Sequence, residues 1–144
     1  MRRIFPLPIL AIPLTLACAS TGMRVPTPSS TAICYALRYQ PDSLRALFPS
    51  TIALQQTPRG DEALWLGADQ RTRFWRVGAA RRFPGSDSVW VTFKGGVDGI
   101  LLRLVSATDT VSGDATWDTD VYTPVPIRAN ATGVRTSCSS PGPA

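Results

Sequence analysis

Histidine does not occur among the 144 residues. Its absence removes the commonest general base, the Ser-His-Asp triad and histidine-ligated zinc. Lysine occurs once, at Lys94, and every other basic side chain is arginine. A G+C-rich coding bias produces that pattern without any functional cause. Cysteine occurs at Cys18, Cys34 and Cys138, with no C-x-x-C spacing, so a redox-active pair has no motif to sit in. Long segments of 3.6-residue apolar period are missing, as are internal repeats. "KGGVDG" (residues 94–99) is glycine-rich but is flanked by strand-like sequence. A phosphate-cradling loop needs a helix after it, so this one reads as a hairpin turn.

Thirteen prolines and eleven glycines are many for the length and argue for numerous turns. Apolar residues make up 44%, enough to build one core in one domain. Residues 1–19 have the parts of a secretory leader. Arg2 and Arg3 form a basic start, residues 4–16 are an apolar run, and small residues follow. The run is too short to remain as a spanning helix, and Pro6, Pro8 and Pro13 weaken any helix there. "RRIF" (residues 2–5) is similar to the core of a twin-arginine export signal, but an ordinary basic start followed by Phe is the preferred reading.

Two cleavages fit. "ACA" (residues 17–19) suits ordinary leader removal before Ser20. "TLAC" (residues 15–18) resembles the lipobox of bacterial lipoproteins, with Ala17 and Leu16 matching and Thr15 standing where leucine is usual. That resemblance implies cleavage before Cys18, acylation of its sulfur and new amine, and a membrane partner reached through the lipid. It covers only the leader. Loss of Arg2 and Arg3 takes Lys+Arg from 15 to 13 against 10 acidic groups, leaving +3. This is a weak field for a nucleic-acid binder, and no nucleic acid is expected as a partner.

With Cys18 lipidated or removed, Cys34 and Cys138 remain, and an oxidising compartment predicts a disulfide between them. The expected organisation is a signal peptide over 1–17 and a lipidation site with a disordered Ser/Thr/Pro tether over 18–31. A β domain follows over 32–138, then a disordered tail over 139–144.

Within 32–138, period-two patterning marks short strands at 32–39, 51–57, 72–77, 88–93, 99–105, 110–117 and 125–134. "YQPDS", "TPRGDE", "FPGSDS" and "SATD" read as turns, and residues 41–48 as one short helical turn. The pattern predicts an all-β fold: a small antiparallel barrel or sandwich of about seven or eight strands, tied by one disulfide. The strands are too short and the chain too charged for an outer-membrane barrel.

Three groups are candidates for chemistry. Arg71, Arg73, Arg76, Arg81 and Arg82 interleave with aromatics in a run that suits anion binding; strand and turn positions filled by coding bias give the same run. Asp109, Asp114, Asp118 and Asp120 offer oxygen ligands, but without EF-hand spacing no metal is assigned. Trp65, Trp75, Trp90 and Trp117 would line a ligand cavity if they faced inward around one space, or else fill the core. No catalytic residue and no cofactor is assigned.

The expected function is an exported, lipid-anchored cell-envelope domain, at the outer membrane or its periplasmic face, that binds or scaffolds an envelope protein. The alternative is a soluble periplasmic or secreted β-barrel carrier of a small apolar ligand. A carboxylate-based hydrolase ranks third.

Overall fold

A computed structural model of the chain describes residues 26–67, 75–119 and 123–139. The signal peptide, Cys18, most of the tether, Arg71, Arg73, Asp120 and most of the tail lie outside them. Eight antiparallel strands close into an up-and-down barrel in which every strand pairs with its neighbours in sequence and β8 pairs with β1. The strands are β1 (Ile33–Gln40), β2 (Thr51–Thr57), β3 (Gly60–Trp65), β4 (Val77–Arg82), β5 (Ser88–Gly95), β6 (Asp98–Ala107), β7 (Thr110–Thr119) and β8 (Thr123–Thr136). Closure removes every unpaired sheet edge. Of the two architectures the sequence allowed, the barrel is the one formed.

The period-two alternation explains the wall. Tyr35, Leu37 and Tyr39 of β1, Val89, Val91 and Phe93 of β5, and Ile100, Leu102 and Leu104 of β6 are buried and alternate with exposed or half-exposed partners. Outward positions include Arg38, Arg81, Arg103 and Arg128, all exposed. This apolar-in, polar-out wall is the inverse of a membrane-spanning barrel, whose lipid-facing band is apolar.

Large and small side chains are matched inside. β8 turns Ala129, Ala131 and Gly133 inward, opposite Leu37 and Tyr39 of β1 and Val111 and Ala115 of β7. A methyl group on Gly133 would sit 2.6 Å from Leu37 Cδ2 and 2.8 Å from Val111 Cγ2. Trp65 and Phe93 meet edge to face at 5.5 Å across the interior.

The two ends differ. At one, the connection from β1 to β2 carries a short 3-10 helix (Asp42–Leu47) and folds over the barrel. Phe48 is fully buried and stacks on Tyr39 at 4.9 Å, while Tyr39 Oη donates to Pro49 O at 2.7 Å. At the other end, β1 begins and β8 finishes, so both chain ends leave the barrel side by side.

There the Cys34–Cys138 disulfide joins them, with Cα atoms 5.2 Å apart. Cys34 points to the outside of the wall yet is buried. Its cross-strand neighbours Ala53 and Leu64, together with Leu66, form a small second apolar cluster against which Cys138 packs.

Two strand expectations differ from the fold. "TPRGDE" contributes only Pro58 and Arg59 to the turn, and Gly60 opens β3. The strand expected over 72–77 begins only at Val77 and runs on through the arginines to Arg82. Ahead of it, Trp65 N donates to Arg76 O at 2.8 Å and Trp75 N to Lys94 O at 2.6 Å.

Candidate functional site

Three hairpin turns and the two chain ends surround the uncapped end of the barrel. Here the last inward side chains leave a cleft of ≈ 240 Å³. Its floor is apolar: Ile33, Tyr35, Leu54, Val89 and Val111. Its rim is polar, with Ser86, Asp87 and Ser88 from the β4–β5 turn, Ser106 and Thr108 from the β6–β7 side, and Arg82 and Arg135. A second cleft of ≈ 300 Å³ adjoins it and shares Ile33, Leu54 and Arg82. Arg82 therefore stands between the two.

Strand parity puts Arg82 there. It pairs with Val89, whose side chain is buried, so it shares the inner face at the point where the wall meets water. Its Nε lies 3.5 Å from Asp61 Oδ2 on β3. Arg135 and Asp109 make a second rim pair at 3.7 Å, both well exposed. Pairs this open are worth roughly 0.2–1 kcal/mol each. The Tyr35 and Ser106 hydroxyls lie 3.4 Å apart above the floor. Pockets that bury a drug-sized ligand run roughly 300–1,000 Å³; the second cleft reaches only the lower end of that range, and buried core side chains lie beneath both.

The four tryptophans divide between the two faces of the wall. Trp65 is 2% exposed and belongs to the core, and Trp117 is half-buried and packed against it. Trp75 and Trp90 are exposed, at 64% and 40%. None of the four lines either mouth cleft.

The arginine run divides in the same way. Arg76 donates from Nη1 to Gly67 O at 2.7 Å and so joins the residue after β3 and Leu66 to the one before β4. Arg82 turns inward to the rim. Arg81, one residue earlier, turns outward and places its guanidinium 5.1 Å from the Phe83 ring centre. Phe83 meets Trp90 edge to face at 5.0 Å, and Arg103 lies 5.3 Å over Trp90. Arg81, Trp90 and Arg103 are direct cross-strand neighbours on β4, β5 and β6. The sequence marked Arg81 and Trp90 but not Phe83 or Arg103. Arg103 sits opposite the apolar face of β6 in the period-two pattern, but its pairing with Trp90 depends on the β5–β6 register.

The acidic stretch does not converge. Asp109 and Asp118 bracket β7, roughly 30 Å apart at strand rise, and Asp114 pairs with Arg103 at 3.8 Å. Among the described residues no three His, Cys, Asp or Glu side chains are grouped to hold a metal ion. Comparison of the chain with protein-family models, curated proteins and solved structures finds no match. The class of the molecule accordingly rests on its geometry: an eight-stranded, disulfide-closed, up-and-down barrel with one capped end and a shallow polar mouth.

Proposed function

We propose that this chain is an exported cell-envelope protein, anchored through a lipid on Cys18, whose barrel binds or scaffolds rather than catalyses. The observation that supports this most is the convergence of both chain ends on the mouth end of the barrel, with Cys34 and Cys138 paired there. The domain uses those two thiols for itself and leaves Cys18 over. The segment between Cys18 and β1 enters at a single point on the barrel. Fourteen residues separate Cys18 from Ile33, and among them Ser29 N already donates to Gln55 Oε1 of β2 at 2.9 Å.

A binding role draws support from what fills the barrel. The interior is occupied by side chains. Of the mouth carboxylates Asp61, Asp87 and Asp109, the first and last each face an arginine. Asp98, the buried carboxylate among the described residues, lies at the β5–β6 turn, toward the opposite end from the mouth. A two-carboxylate hydrolase needs a facing pair within about 5–10 Å.

Intact-mass analysis of the protein from its native host tests the reading. An N-terminus at Cys18 carrying acyl chains is the expected result, and an unacylated N-terminus at Ser20 overturns it. The second reading, a soluble carrier of a small apolar ligand, draws on the apolar floor of the mouth clefts. That reading requires an apolar fluorescent probe to bind and to be displaced by Val89→Trp, which would fill the floor.

A further inference from the structure

The outward cluster of Arg81, Phe83, Trp90 and Arg103 is not used by the mouth, and the geometry points to it as a surface that docks on an anionic lipid bilayer. The inference rests on the envelope reading above but does not require the lipid on Cys18.

The cluster combines the two side-chain types that settle at a bilayer surface. Trp90 offers an amphipathic ring that is 40% exposed, and Val105, one register step away, is 51% exposed. Trp is enriched at the headgroup level, and arginine pairs with lipid phosphates while its stem lies along apolar surface. Each ring is held by a guanidinium, Arg81 on Phe83 and Arg103 on Trp90. The aromatic plane and the two cations are therefore presented together, with little side-chain freedom left to lose on binding.

Arg81 has no carboxylate within ion-pair distance among the described contacts. Arg103 has a single loose one in Asp114 at 3.8 Å, with both side chains about half exposed. Such a pair exchanges readily for a phosphate.

Position supplies the second argument. Phe83 lies at the β4–β5 turn and Trp90 near the start of β5, so the cluster sits toward the mouth end, where the chain ends also emerge. With a lipid on Cys18 this end would also be the one brought toward the membrane, although the pairing of cations and rings stands without it. Across the barrel, Arg38 lies on β1, four strands from β5, and Arg128 on β8, three strands from it; among the described residues neither guanidinium lies over an aromatic ring. Among the described residues the cationic–aromatic pairing thus falls on one side of the barrel.

The test uses the mature chain with Cys18→Ser and the disulfide formed, sedimented with vesicles of equal parts phosphatidylglycerol and phosphatidylcholine, or of phosphatidylcholine alone. Binding is expected on the anionic vesicles only, with a blue shift of tryptophan emission. Arg81→Gln/Arg103→Gln should weaken it about tenfold or more, as expected for two arginines lost from an anionic surface. Arg38→Gln/Arg128→Gln, which removes the same charge from the opposite wall, should leave it unchanged. Val105→Ser, a milder change than any at Trp90, should reduce the blue shift.

Absence of binding to anionic vesicles overturns the proposal. So does equal weakening by the two double variants, which would mean diffuse charge rather than a surface. Because this chain carries no lipid, the outcome is independent of the mass measurement that tests the anchor.

Discussion

Thr108 holds φ at 51°, a left-handed conformation that a β-branched residue rarely adopts. It sits in the two-residue turn between β6 and β7, where register forces the reversal immediately after Ala107. Thr108→Gly should relieve that strain and stabilise the barrel by about 1 kcal/mol, net of the entropy glycine adds to the unfolded chain. The midpoint of urea unfolding measures it, and a lower midpoint would show that the turn is not strained. Gly78 presents the opposite case. A methyl group there would run into the carbonyl of Thr92 and come within 2.7 Å of the Phe93 ring. Backbone cannot yield as a side-chain tip can, so Gly78→Ala should destabilise by about 1–3 kcal/mol through overpacking. The first substitution introduces a glycine and the second removes one, and the two should move the midpoint in opposite directions.

Elements show where the sequence speaks and where it is silent. β5 and β6 alternate cleanly, as does β1 from Tyr35 onward, because one face is core and the other is water, and that contrast is the signal a sequence carries. Trp90 is already outward in the pattern of 88–93, opposite Val89, Val91 and Phe93. β3 does not alternate. Ala63 and Trp65 are buried by the core, while Leu64 between them is buried by the disulfide cluster on the outer wall. A cover on the outer face erases the period, and nothing local announces that cover. β4 hides for another reason. Its inward positions are Gly78, Ala80 and Arg82, small or charged because bulky residues of β5 and β6 fill the space. The five arginines read as one run only because strand parity cannot be assigned without the strand's start; once β4 starts at Val77, Arg81 and Arg82 must face opposite ways. The cap over the barrel's closed end was legible as a short helical turn. Its function as a plug depends on Phe48 reaching Tyr39. Phe48→Ala should cost about 3–5 kcal/mol, the range for a fully buried aromatic, and should lose amide protection first in residues 41–50. Hydrogen exchange resolved by segment checks this, and uniform loss of protection across the barrel would mean that the cap is not a separable unit.

At the scale of the whole molecule, the barrel is closed twice, once by the β1–β8 ladder and once by the disulfide beside it. The ladder runs from Cys34–Thr136 to Gln40–Asn130. This seam joins the two strands most distant in sequence, so it is the pairing with the greatest loop to close. A bridge across a sequence separation of 104 removes most of that freedom from the unfolded chain, worth about 4.7 kcal/mol in the chain-entropy treatment. Typical domains are stable by roughly 5–15 kcal/mol, so the bridge is a large part of the total. Cys34→Ala/Cys138→Ala should therefore lower the unfolding free energy by several kcal/mol. Little change in native packing is expected, because Ala at position 34 still lies against Ala53 and Leu64. The decisive comparison is between this variant and the wild-type protein in reductant. If the bridge acts through the unfolded state, the two should unfold at the same urea midpoint, well below that of the oxidised protein. The near-ultraviolet circular dichroism of their folded states should match. If the variant instead loses tertiary signal at zero urea, the bridge is organising the native seam itself, and the chain-entropy account of this barrel fails. The same logic bears on compartment. If both midpoints fall well below that of the oxidised protein, the barrel reaches its full stability only where thiols are oxidised, which is the condition the envelope reading requires.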